Sequence, residues 1–176
     1  MSVSEELAKT AEIRTSQSKS ILDLIDHTPE FPFEEDIINF DDAFTHTGDN
    51  DFLSTILFKP AITSGIVRFE VINIKQLESV GIADETVSYD RDDFPLLKGF
   101  EHVVEFVAEG SVYNSTDYGI QGNSAYKEND RVALELNMDS DPRTLTFFVN
   151  NKEQPNYIFN VPEEVKFFPN ILLLFV

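Results

Sequence analysis

The chain has 176 residues with 13 basic and 32 acidic side chains, a formal charge of −19, and no cysteine. Those numbers exclude disulfides and thiolate chemistry, remove the commonest structural zinc ligand, and set the surface against phosphate backbones and anionic membranes. Such a charge favours a neutral or basic protein or peptide as partner, with no nucleic acid and no membrane, or else it serves solubility alone.

At 41% hydrophobic, with sixteen Phe and no Trp, the length fits one domain whose core rests on phenylalanine. Residues 1–30 differ in texture from the rest, and 1–35 read as an N-terminal helical segment and linker. Ser4-Glu-Glu-Leu-Ala-Lys-Thr-Ala-Glu-Ile opens with a capping residue and two acids, with Val3, Leu7 and Ala11 at helical spacing, and predicts a short helix. Ser18 to His27 places Ile21, Leu22, Leu24 and Ile25 on one side of a second helix, which must bury against the domain or a partner. His27-Thr-Pro-Glu-Phe-Pro-Phe-Glu-Glu-Asp, with two prolines and several acids, reads as a solvated linker. The opening residues lack the basic start and apolar centre of a secretory signal, and no apolar run reaches the roughly 20 residues of a membrane helix. An intracellular, cytoplasmic protein with a natural start at Met1 is expected.

Over residues 36–176 the pattern turns to period two. Ile37-Ile-Asn-Phe, continued by Asp42 to Phe44, reads as one strand that turns through Thr45-His-Thr-Gly-Asp-Asn-Asp and returns as Phe52-Leu-Ser-Thr-Ile-Leu-Phe. Val67, Phe69 and Val71 then alternate with Arg68 and Glu70, and Ser79–Ala83 follows, where Gly81 marks a close backbone approach. His102–Ala108 and Ser111–Asn114 form a hairpin around Glu109-Gly110. On either side of it, residues 84–99 and 114–129 are long connections without clean periodicity, and such loops in a compact domain are functional or mobile. Val132, Leu134 and Leu136 alternate with polar neighbours up to an Asp139-Ser-Asp-Pro-Arg turn, and Leu145, Phe147 and Val149 alternate beyond it. Asn150-Asn151 makes a second tight turn, because Asn tolerates positive φ. The chain returns through Tyr157-Ile-Phe and ends in an apolar run from Phe167 that fits a strand covered on both sides. These elements predict an all-β, antiparallel two-sheet sandwich with short N-terminal helices.

Four blocks in order resemble a SPRY domain. They are Ser64-Gly-Ile-Val-Arg-Phe-Glu-Val, Val80-Gly-Ile-Ala, the pair Asn129-Asp-Arg-Val-Ala-Leu-Glu-Leu and Leu145-Thr-Phe-Phe-Val-Asn-Asn-Lys, and Phe168-Pro-Asn-Ile-Leu-Leu. Phe69 stands where that family has Trp, Asn129 where it has the Gly of Gly-Asp, and Asn151 where it has the hairpin Gly. Each swap keeps the physical role, an aromatic core plug or a turn-former. The resemblance implies a concanavalin-like, jelly-roll-like sandwich that binds peptides or folded proteins through loops at one end, with no catalysis and no cofactor.

Other chemistry is weakly marked. His27, His46 and His102 lie in unlike contexts, and the Asp-rich turns at 48–51, 90–93 and 139–141 lack calcium-loop spacing with its Gly and closing Glu. Gly122-Asn-Ser-Ala-Tyr is half a nucleophile elbow without its second Gly, and no phosphate-cradling glycine signature occurs. Asn114-Ser-Thr is formally a glycosylation sequon. Recognition by loops remains. Tyr89, Arg91 and Phe94 among acids are the mix of anchors and polar contacts found at interfaces, an ordinary solvated loop being the alternative. The partner-binding candidates are Lys59 and Pro60 at the edge, Asp84, Glu85, Tyr89, Arg91, Asp93 and Phe94 in the first loop, and Tyr118 in the second. A non-enzymatic adaptor-like interaction module is expected. The alternatives are a sandwich glycoside hydrolase or lectin, and a structural subunit that joins an assembly through residues 1–30.

Overall fold

A computed structural model describes residues 13–17, 25–114 and 118–172. Strands β1 (Ile13–Gln17), β7 (Ile66–Ile72), β11 (Arg131–Asn137), β12 (Thr144–Val149) and β13 (Lys152–Phe159) form one antiparallel sheet in the order β1-β7-β11-β12-β13. Strands β5 (Ser54–Thr55), β8 (Leu77–Asp84), β9 (Val103–Val107), β10 (Val112–Tyr113) and β14 (Val165–Ile171) form the second, ordered β10-β9-β8-β14-β5. Two small ribbons complete the set: β2 (Thr28–Glu30) with β6 (Leu57–Lys59), and β3 (Ile37–Phe40) with β4 (Ala43–His46). No helix of seven or more residues occurs among the described residues.

The period-two patterns of β7, β11 and β12 point Val67, Phe69, Val71, Val132, Leu134, Leu136, Leu145 and Phe147 into one core, where all are at most 1% exposed. Phe69 stacks on Phe167 of the facing sheet at 5.0 Å between ring centres, and Phe106 tilts against Phe147 at 5.1 Å. A phenylalanine thus joins the sheets where an indole would serve. Full burial of each ring contributes about 2 to 3 kcal/mol. Asn129, Asn150 and Asn151 all adopt positive φ, at 70°, 51° and 64°, as turn-forming replacements for Gly must. A Cβ on Gly81 would strike the Val104 carbonyl, so β8 passes β9 and Phe168 at the close approach expected there.

Several local expectations change. The hairpin before β5 turns at Asp41-Asp42, both at positive φ (51° and 61°), so residues 37–46 fold on themselves instead of continuing as one strand. Asp tolerates that region through its short polar side chain. The expected helices over 4–13 and 18–27 lie outside the described residues, except at Ile13, which opens an edge strand on β7, and at 25–27, which are not helical. The stretch expected as a solvated linker is packed: Thr28–Glu30 pairs with β6, Phe31 meets Phe44 at 5.9 Å, and Asp36 is 2% exposed. Asp36 tolerates burial because Arg91 arrives with a matching fork of N–H groups.

Candidate functional site

The first long connection is largely internal. Residues 84–99 fold over the outer face of the second sheet, where Val87 and Tyr89 join Leu57, Ala83, Val103 and Phe168 in a separate apolar cluster. Tyr89 is 8% exposed, donates its hydroxyl to the Pro95 carbonyl at 3.1 Å, and has its pKa pushed far up by burial. The expected aromatic anchor is therefore a core residue, since the face beneath it is apolar and needs a cover. Arg91 donates to Asp36 Oδ2 at 2.7 Å and Oδ1 at 2.8 Å, and lies over the rings of Phe33 and Phe52 at 4.2 and 4.7 Å. Its hydrogen bonds hold the Asp36 carboxyl below the usual range, against the opposing effect of burial. Asp93 pairs with Lys98 at 2.7 Å and accepts the Asp90 N–H, and its carbonyl accepts the Thr55 hydroxyl. Arg91 and Asp93 are therefore stitches between loop and body, not contacts held free for a partner. Asp84 accepts the Thr86 N–H and hydroxyl, at 2.9 and 2.6 Å, and stays low in pKa. Glu85 and Pro60 are exposed, Lys59 pairs with Glu30 at 2.6 Å, and Phe94 is 49% exposed.

A cleft opens elsewhere, at the side of the sandwich where β13 ends one sheet and Ile120 bridges β10 of the other. It holds about 320 Å³ and is lined by Asp84, Glu101, His102, Ile120, Tyr157 and Phe159, over a floor that includes Ile82, Val104 and Val165. Strand β13 positions one wall. Alternation turns Ile158 inward, 4% exposed, and leaves Tyr157 and Phe159 outward at 58% each. Ile120, 40% exposed, forms the facing wall through a two-way backbone bridge with Val112. The β13–β14 connection closes one end. Its Val161 N–H donates to the Arg143 carbonyl at 3.4 Å, and Arg143 Nε donates back to the Val161 carbonyl at 2.8 Å.

Of the sequence candidates, only Asp84 lines this cleft. Tyr118, 81% exposed, lies two residues from Ile120 on the same connection. Tyr157, Phe159, Ile120 and Glu101 went unread, although a signal existed for two of them: in Tyr157-Ile158-Phe159 the aromatics occupy the outward phase of the strand, where a solvated face would carry polar side chains. Among the described residues no group of three or more His, Asp or Glu is arranged to hold a metal, and no helix is long and apolar enough to cross a membrane.

No protein-family model and no curated relative matches the chain. Solved structures do. It is similar to a human SPRY domain at 18% identity and TM-score 0.62, with 79% of this chain and 90% of that chain covered. It is also similar to the PSpry domain of TRIM65 at 10% identity and TM-score 0.58, covering 99% and 96%, and to the SPRY domain of human HERC1 at 19% and 0.54, covering 73% and 79%. At these identities the likeness carries the fold. The chain is a SPRY-like antiparallel β-sandwich, the architecture implied by its four ordered blocks.

Proposed function

We propose that this chain is a non-enzymatic protein-interaction module that grips a neutral or basic peptide or protein segment in the cleft between β13 and residues 101–104 with Ile120. The observation that carries the reading is the cleft itself: two aromatic side chains stand 58% exposed beside an apolar floor, with two carboxylates at its lining, in a SPRY-like fold. Exposed aromatics beside a pocket are the usual anchors of a protein contact. The surplus of acidic residues favours a basic or neutral occupant by steering. A hydrolytic pair of carboxylates is poorly served here, because Asp84 is already bonded to Thr86 and Glu101 stands 74% exposed at its side chain, without the apolar burial that a general acid needs.

Affinity capture from the source cell tests the reading. Partners recovered on the full chain should be lost with Tyr157→Ala/Phe159→Ala and kept with Phe94→Ala. Recovery indifferent to the first variant, or an oligosaccharide bound in place of a protein, would overturn it.

A further inference from the structure

We infer that the partner segment sits in the cleft as a short additional strand on the free edge of β13 at Ile158, directing a basic side chain toward Asp84 and Glu101. The inference rests on the interaction reading above and specifies the mode of binding and the chemistry of the occupant.

The edge of β13 is half filled by the chain's own second long connection. Asn123 Oδ1 accepts the Asn156 N–H at 3.0 Å, the Gln121 carbonyl accepts Asn156 Nδ2 at 3.0 Å, and Gln154 Oε1 accepts the Ser124 N–H at 2.7 Å. The Asn156 N–H therefore faces away from β12, and strand alternation turns the Ile158 N–H and C=O to that same side, along the cleft. Sheet edges are normally blunted by proline, charge or a covering loop. Upstream, β13 has Pro155 and the 121–124 loop; at Tyr157–Phe159 it has neither among the described residues. Backbone pairing at Ile158 would supply register, while Tyr157 and Phe159 would flank the incoming side chains, the arrangement by which added strands gain both affinity and selectivity.

Charge sets the occupant. Asp84 and Glu101 are the acidic residues of the cleft lining, and Glu101 is 74% exposed at its side chain. Among the described residues His102 is the only one of the lining that can carry positive charge, and its Nε2 lies 3.7 Å from Glu101. Lys166, close enough to act on Asp84 electrostatically, is drawn to Glu30 at 3.5 Å. The cleft thus takes an extended segment of alternating apolar residues with one Lys or Arg, and disfavours an acidic one.

The test pans the full chain against a displayed random nonapeptide library and remakes the recovered peptides with N-methyl groups on alternate amides. The expected peptides carry Lys or Arg beside β-branched or aromatic residues. Methylating one alternate set should weaken them at least tenfold and methylating the other should leave them nearly unchanged. Glu101→Lys, on a largely exposed side chain, should weaken them at least fivefold without unfolding the chain. Peptides that depend on Tyr157 yet ignore methylation in both sets, or that are acidic, would overturn the strand mode and leave the interaction reading standing. Absence of any peptide whose binding depends on Tyr157 would overturn both.

Discussion

The two long connections of this sandwich are similar in length and polarity, and each buries a tyrosine, yet they border different surfaces. Residues 84–99 are fastened down by Tyr89 in an apolar cluster, by Arg91 on buried Asp36, and by Asp93 on Lys98. The later connection is fastened too, by Ile120 on Val112, by Asn123 and Ser124 on β13, and by buried Tyr126 on the Phe106 carbonyl, yet it brings Ile120, 40% exposed, to the wall of a cleft. Irregularity alone therefore does not mark a recognition loop. What separates the two is what each borders: the first covers the apolar outer face of the second sheet, with Ala83, Val103 and Phe168, while the later one runs beside the cleft.

The comparison breaks first at Tyr89. Tyr89→Ala should cost about 3 kcal/mol in urea unfolding by emptying the cluster and orphaning the Pro95 carbonyl; a cost below about 1 kcal/mol would mean that the loop is not a cover.

Asp36 sharpens it next. Its depressed pKa means that the Arg91 contact stabilises the fold above the unfolded carboxylate range and that this stabilisation is lost as pH falls through the folded value, below about 4. Asp36→Ala should lower Tm by about 5 °C at neutral pH and flatten the acid limb of the stability curve. Arg91→Ala should flatten the same limb, and an unchanged limb would contradict the assignment.

Glu105 runs the other way. Buried on β9 and accepting the Ser79 hydroxyl at 2.5 Å, its carboxyl is pushed up by desolvation, so the fold is favoured while it is protonated and loses stability as pH rises from about 4.5 through the raised value. Glu105→Gln keeps a hydrogen-bonding partner for Ser79 and should gain about 1 kcal/mol at pH 7, with no gain near pH 4.

The smallest stability effect belongs to the cleft. Tyr157→Ala and Phe159→Ala should each change unfolding free energy by no more than about 0.5 kcal/mol, because both side chains already face solvent. Partner capture should nevertheless disappear. A large loss of stability would show instead that they serve the fold.

The sandwich was legible because strand burial is written at period two: Val67-Arg-Phe-Glu-Val and Thr144-Leu-Thr-Phe-Phe-Val state both phase and partner, and the Asn150-Asn151 turn states the register. The positions of the loops were not. Tyr89 and Arg91 look like interface anchors in sequence because burial of a tyrosine under a loop, and pairing of an arginine with an aspartate 55 residues away, are decided by long-range packing that no local pattern encodes. Tyr157 and Phe159 were missed for the converse reason. Three consecutive apolar residues, Tyr157-Ile-Phe, read as a returning strand without stating which of them face out.

Hydrogen exchange of the full chain, with and without a captured partner, bears most directly on the claim that the β13 cleft binds while the 84–99 loop only covers. Binding should slow exchange at residues 157–162 and 101–104 and leave residues 86–98 unchanged. Protection confined to residues 86–98 would contradict it.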